Sequence, residues 1–340
     1  MTRKINNSYE LGQSNAPTDG GDMLKTRGDG TLVWEGVADT TYEPAPPDGD
    51  RGCWLGGRDS TSTYLTNIDY VTISTTSNAT DFGDLLTAAA WGAATSNGAS
   101  DRGVMYIRNN TNTLEYITIS TPGSATDFGD KATSVNHSCA CSNGTSDRGV
   151  WAGGYGPTNV MEYITISSTG NTTDFGDLLN TNYGFGSVSN GTSDRGVFGG
   201  YGGTATTGLQ YITISSTSNS ISFGNLLTSV VYYDGCSNNT DDRGVYCGGG
   251  TDMMEYITIS STGTAIDFGN LTVARKHIGC ASNGNNGRGV IGGGTSNDDA
   301  TFYNTIDYIT IATTSNATDF GDLNFNGYMG HHSTADAGGN

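Results

Sequence analysis

Met161-Glu162-Tyr163-Ile164-Thr165-Ile166-Ser167 is one of six near-copies of a single phrase. The others are centred on Tyr70, Tyr116, Tyr211, Tyr256 and Tyr308, so successive tyrosines lie 46, 47, 48, 45 and 52 residues apart. A period in this range marks a propeller or a solenoid, in which each unit buries its apolar faces against its neighbours. Within the phrase Ile164 and Ile166 point to one face, and Tyr163, Thr165 and Ser167 to the other. Both faces carry packable groups, as a sheet stacked between two other sheets requires.

Working outward, each unit has four parts. In the third unit these are Asp147–Gly154, Met161–Ser167, Asp174–Leu178 and Asn182–Gly191. The first, second and fourth alternate or run apolar over four to eight residues and are bounded by Gly, Asn and Asp, which marks strands, and the third, short and polar, reads as an outer, edge-like strand. The tract 168–173 between the second and third parts is turn-forming. Four strands per unit and six units predict an all-β, six-bladed β-propeller of four-stranded blades. The strand at Arg51 lacks an inner partner, whereas the last unit ends with a spare strand read at Phe325–His332. That C-terminal strand is expected to pair into the first blade and close the ring, because an open array would expose two sheet edges. The second unit departs from the pattern, with Met105-Tyr106-Ile107-Arg108 where the others carry a Gly pair.

Composition narrows the function classes. Gly contributes 52 of 340 residues, at repeating positions, against a usual share of about 7%. The formal net charge is −19. Residues 1–49 hold 4 basic and 8 acidic side chains, −4, which leaves −15 on the remainder. This balance argues against nucleic acid and anionic membranes as partners. No run of about 18 apolar residues occurs, and the N-terminus lacks the apolar stretch of a secretory signal. The six cysteines (53, 139, 141, 236, 247 and 280) lack metal-site spacing and read as small buried thiols.

The apolar strand ending in Gly-Gly, the strand around Glu-Tyr and a later aromatic resemble the kelch propeller repeat. That aromatic is Phe here (82, 128, 175, 223, 268 and 320) rather than Trp. The combination Asp-Arg-Gly-Val, Tyr-Ile-Thr-Ile-Ser and Asp-Phe-Gly-Asp-Leu over residues 50–338 is similar to repeats in virion structural proteins of tailed bacteriophages. The resemblance implies a structural or appendage role on a virion: tail, neck or capsid decoration.

Candidate chemistry is sparse. Arg51, Arg102, Arg148, Arg195, Arg243 and Arg288 recur with the repeat and read as braces, pairing with carboxylates, rather than as a ring for an anion. The paired acids of Asp81–Asp84, Asp127–Asp130, Asp174–Asp177 and Asp319–Asp322 read as solvated turns rather than a Ca²⁺ site, which would need more oxygen ligands. His137, His277, His331 and His332 fall at or near inner strands. No catalytic, cofactor-binding or metal-ligating residue is assigned, no cofactor is expected, and the chain is expected not to be an enzyme. As an alternative role, Tyr155, Tyr201, Tyr232 and Tyr233 would serve as stacking groups of a carbohydrate-binding host-adhesion module.

Two domains are expected: residues 1–49 as an extended attachment arm with a Pro-rich linker at Tyr42–Gly49, and residues 50–340 as the propeller. Arg27-Gly28-Asp29 reads as a turn before the short strand at Leu32-Val33-Trp34. Residues 1–41 are expected to dock on other virion proteins, with several copies on a symmetric particle and the propeller contacting a host-surface glycan.

Overall fold

The structure is a computed structural model. It describes residues 22–26, 32–36, 50–97, 101–106, 111–142, 147–156, 158–190, 194–199, 207–237, 242–283, 287–325, 327 and 333–335. Two compact units are present, Met1–Ala45 and Pro46–Asn340. In the first, Asp22–Thr26 pairs antiparallel with Leu32–Gly36. The apolar strand expected at Leu32 therefore belongs to a hairpin. The Arg27-Gly28-Asp29 tripeptide and the rest of residues 1–49 lie outside the described residues.

The second unit is a six-bladed propeller of antiparallel sheets. From axis to rim, blade one is Ser333–Ala335, Arg51–Arg58, Tyr64–Thr72 and Thr80–Ala89. Blade two is Ala93–Asn97, Arg102–Tyr106, Thr113–Thr118 and Thr126–Asp130. Blade three is Cys139–Ser142, Arg148–Ala152, Val160–Thr165 and Thr173–Asp177. Blade four is Ser187–Asn190, Arg195–Gly199, Gly208–Thr213 and Ile221–Asn225, with Gly263–Thr264 added parallel at its rim. Blade five is Tyr233–Ser237, Arg243–Gly248, Thr251–Thr258 and Ile266–Arg275. Blade six is Gly279–Ser282, Arg288–Gly292, Thr305–Thr310 and Thr318–Asp322. Each innermost strand touches the innermost strands of both neighbours, and the circle closes where 333–335 meets 93–97 and 279–282.

The C-terminal strand does enter blade one, with Ser333 opposite Trp54 and Ala335 opposite Gly52. It lies at Ser333–Ala335 rather than at Phe325–His332. Blade six ends at the rim at Asp322, so the chain must first cross back to the axis. Phe325 packs in the core between blades six and one on that crossing. Ser333 takes the register against Trp54 that Ala140 takes against Trp151 in blade three.

The core lies between blades. Ile164 and Ile166 are 3% and 0% exposed, as are their counterparts within a few per cent. On the opposite face each repeat tyrosine meets its own blade's phenylalanine edge to face, at 5.8–6.1 Å for the pairs 70–82, 116–128, 163–175, 211–223, 256–268 and 308–320. All six cysteines are buried free thiols. Burial pushes the thiols of Cys139, Cys141, Cys236 and Cys280 up, which suits a packing role.

Candidate functional site

The six arginines make one bond six times. Each guanidinium stacks on its own blade's repeat tyrosine, 4.1–4.5 Å from the ring centre, and donates through Nη1 to a carbonyl of the next blade. The acceptors are Ile119 for Arg51, Ile166 for Arg102, Ile214 for Arg148, Ile259 for Arg195, Ile311 for Arg243 and Ile73 for Arg288, at 2.8–3.3 Å. The last bond crosses the closure of the ring. The bracing role stands, but the partners are a π face and a backbone carbonyl rather than the expected carboxylate. The preceding Asp is used elsewhere. Asp50, Asp101, Asp147, Asp194 and Asp242 each accept the backbone N–H and the hydroxyl of Ser74, Ser120, Ser167, Ser215 and Ser260. In blade six Gly287 and Ala312 stand at the two positions, so both partners are missing together. Arg195→Ala is therefore expected to cost about 1–3 kcal/mol, a lost stacked cation plus a buried carbonyl left without its donor. Thermal melts of the variant and of Arg195→Lys, which keeps charge but not the planar fork, measure it.

The Asp-Phe-Gly-Asp phrase holds blades together through its backbone. The residue closing each copy accepts, through its carbonyl oxygen, an N–H from a neighbouring blade's loop. These bonds are Ala125 to Asp84, Thr172 to Asp130, Ser220 to Asp177, Ala265 to Asn225, Ala317 to Asn270 and Ala79 to Asp322, at 2.7–2.9 Å. Gly129 sits at φ +146°, where a Cβ would run into the carbonyl of Gly170. The leading acids, Asp81, Asp127, Asp174 and Asp319, are exposed. Among the described residues no group of three or more His, Cys, Asp or Glu is placed to hold a metal ion.

A third set of ties was not anticipated from the sequence. The residue before each repeat tyrosine, Asp69, Glu115, Glu162, Gln210, Glu255 or Asp307, is 0–5% exposed. Each accepts from the end of the preceding blade's outermost strand or the link that follows it. Leu86 N donates to Glu115, Leu179 N to Gln210, Leu227 N to Glu255, Thr272 N to Asp307 and Asn324 N to Asp69, at 2.6–3.2 Å. Glu162 instead receives the Thr133 hydroxyl at 3.0 Å and the buried Lys131 ammonium at 2.9 Å. Burial pushes the carboxyls of Asp69 and Glu115 above their ordinary range, against the donated hydrogen bonds. The sequence signal was present: an acid or amide in every copy at a position whose strand neighbours are apolar.

Scaffold ties leave one region unaccounted for. Trp91, His137, Gly184, Tyr232 and His277 occupy equivalent places just before the innermost strands of blades two to six. All five have positive φ, 55–65°, uncommon for residues other than glycine. Their backbones form a belt around the axis: His137 N donates to Trp91 O, Gly184 N to His137 O, Tyr232 N to Gly184 O and His277 N to Tyr232 O, at 2.6–2.9 Å. The side chains meet across the axis. His137 and His277, from opposite blades, have ring centres 6.1 Å apart. Tyr232 lies 4.2 Å from His277 and 5.3 Å from His137. Trp91 lies 5.6 Å from His137, and Tyr183 continues the cluster to Tyr155, which is 59% exposed. Burial, then Tyr183, pushes the Tyr232 phenol up. Trp91, His137, Tyr183 and Tyr232 are half-buried, so the result is an aromatic plateau over one end of the axis. Of the tyrosines expected to stack on a ligand, Tyr155 and Tyr232 are here. Tyr233 is not: strand alternation turns it into the core, 1% exposed against Tyr246. Tyr201, His331 and His332 lie outside the described residues.

The same end of the propeller carries the only segments whose length varies. Phe82 to Arg102, Phe128 to Arg148, Phe175 to Arg195, Phe223 to Arg243 and Phe268 to Arg288 each span 20 residues. Each repeat tyrosine precedes its phenylalanine by 12. Arg to Tyr, by contrast, takes 19, 14, 15, 16, 13 and 20 residues in blades one to six. All of the irregularity in the period falls between Arg and Tyr, in the loops joining the second and third strands and, in blade one, in the lengthened ends of those strands. These loops reach the plateau: Arg58 lies over Trp91, Tyr155 N donates to Asn136 O, and Lys276 pairs with both Thr295 and Asp299.

No protein-family model and no curated protein matches the chain. A solved structure does: a novel fungal alcohol oxidase with catalytic diversity among the AA5 family, in complex with copper. The two share 12% identity at a TM-score of 0.53, over 83% of this chain. The chain spans 65% of that structure's length. This neighbour is an enzyme, which overturns the expectation that the chain is not one. Among the described residues no three His, Cys, Asp or Glu side chains come together as metal ligands; at the axis two histidines, His137 and His277, meet Tyr232. At this identity the likeness bears on the fold alone, and the six blades are those of the chain's own sheets.

Proposed function

We propose that this chain is an attachment module of a tailed-bacteriophage virion, a propeller with a recognition face at one end of its axis. Residues 1–41 would dock it to other virion proteins, in several copies on a symmetric particle. The observation that carries this reading is the confinement of length variation to the loops around the aromatic plateau. A scaffold that only covers surface has no reason to hold three of its four connections at fixed length and vary the fourth. Loops on a rigid frame are where binding groups are diversified. The bacteriophage setting rests on the similarity of the Asp-Arg-Gly-Val, Tyr-Ile-Thr-Ile-Ser and Asp-Phe-Gly-Asp-Leu phrases to virion repeats. Many copies on one particle would make a weak face effective through avidity.

Two changes test it. Shortening the loop 295–304 to the length found in blade five is expected to leave the melting temperature within a few degrees and to reduce particle adsorption to host cells severalfold. Deleting residues 1–41 is expected to leave a folded propeller that no longer enters particles. Unchanged adsorption in the first case, or continued incorporation in the second, overturns the corresponding half of the proposal.

A further inference from the structure

We infer that the axial plateau is a binding site for a neutral saccharide, with Trp91, Tyr183, Tyr232 and Tyr155 as its stacking surfaces. The inference rests on the reading of this face as the recognition face. A pyranose ring has an apolar C–H face and a rim of hydroxyls. Partly exposed aromatic rings match the first, supplying contact area at little cost in side-chain freedom. Acceptors lacking a donor match the second. Asn136 and Asn182 immediately precede His137 and Tyr183, and the Oδ1 of each is buried without a hydrogen-bond partner among the described residues. Asn182 is 3% exposed. A buried carbonyl oxygen without a donor is costly, and a saccharide hydroxyl is a donor, which a carboxylate or sulfate is not.

Charge points the same way. Among the described residues the cations at this face are already engaged, Lys276 with Asp299 at 2.9 Å and Arg58 with the Ser62 hydroxyl at 2.5 Å. The chain's −19 opposes a polyanion. Mixed, locally balanced charge around apolar rings suits an uncharged polar ligand. The belt adds rigidity: five consecutive backbones are fixed to one another at the base of the rings, so little order remains to be imposed on binding.

The test is titration calorimetry of the full chain with neutral glucose-, galactose- and mannose-based trisaccharides, and with sialylated and sulfated counterparts. Binding of at least one neutral trisaccharide is expected, weakened about tenfold or more by Tyr232→Ala and by Tyr155→Ala, and unchanged by Thr169→Ala in the opposite-end loop. Tyr155 is exposed, so its variant remains informative if Tyr232→Ala fails to fold. No binding across the panel, preference for the sialylated or sulfated sugars, or affinity undiminished by both tyrosine variants overturns the inference. Host adsorption that depends on the loop 295–304 but survives periodate treatment of the cells, and is abolished by protease, assigns the face to a protein partner. That outcome overturns the saccharide while leaving the recognition face intact.

Discussion

Asp307→Ala is expected to destabilise the propeller by about 3–5 kcal/mol, the largest effect of any single side-chain truncation in the ring. Asp307 and Arg275 are both fully buried, their charges 3.0 Å apart. Arg275 also donates to the carbonyls of Thr305 and Ile291, at 2.7 and 3.0 Å. Asp307 in turn accepts from Thr272 through its backbone N–H and its hydroxyl, at 3.2 and 2.5 Å. Removing the carboxylate strands a guanidinium in the core and frees the link from blade five. Burial alone already pulls the Arg275 pKa down, opposed by Asp307. Because the cost comes from the orphaned charge, the double variant Arg275→Met/Asp307→Leu should recover most of it. Urea melts of the single and double variants decide this: a double variant as unstable as Asp307→Ala would mean that the link, not the charge, carries the cost.

Deleting residues 331–340 is expected to make the protein aggregate and melt more broadly and at lower temperature than the full chain. The deletion strips the innermost strand from blade one, leaving the Gly52–Trp54 edge unpaired at the axis. It also removes the neighbour of 93–97 on one side and of 279–282 on the other, so the ring opens at two contacts. An unpaired edge recruits other chains, and a repeat array without its closing contacts loses cooperativity. Calorimetry with light scattering reads both effects, and a peptide of residues 325–340 added in trans should partly restore the melt. A truncated protein that stays monomeric and melts unchanged would show that closure rests on side-chain ties alone.

The fold was legible because the Tyr-Ile-Thr-Ile-Ser phrase alternates with period two on a fixed frame, and alternation specifies strand, face and register together. Blade number and closure followed from counting. The exact closing strand did not, because placing it at Ser333 requires knowing how much chain the crossing from rim to axis consumes. The inter-blade ties were partly hidden for a similar reason. Arg195 sits beside Asp194 in sequence, which suggests an ion pair, yet its donor group reaches Ile259 of the next blade. No local pattern reports a backbone carbonyl as partner. The plateau was harder still. Trp91, His137, Gly184, Tyr232 and His277 are not of one residue type, and only the backbone reveals that they occupy one position. The varying distance between Arg and Tyr, against fixed distances elsewhere, was readable from residue numbers and points to the correct end of the molecule.

Six copies of one interface also raise a problem of identity during folding. Any blade's arginine, held on its own tyrosine, would fit any other blade's carbonyl, so a chain could mispair blades or exchange them with a second copy at little energetic cost. The places where the copies differ tell the interfaces apart. Lys131 meets Glu162 only between blades two and three, and Arg275 meets Asp307 only between five and six. Gln210 takes the hydroxyl of Ser220 within blade four. A misplaced blade would bury Lys131 or Arg275 without its counter-charge, a penalty large enough to reject the wrong neighbour. The departures from the repeat thus act as a sorting code that makes one order of blades the stable one.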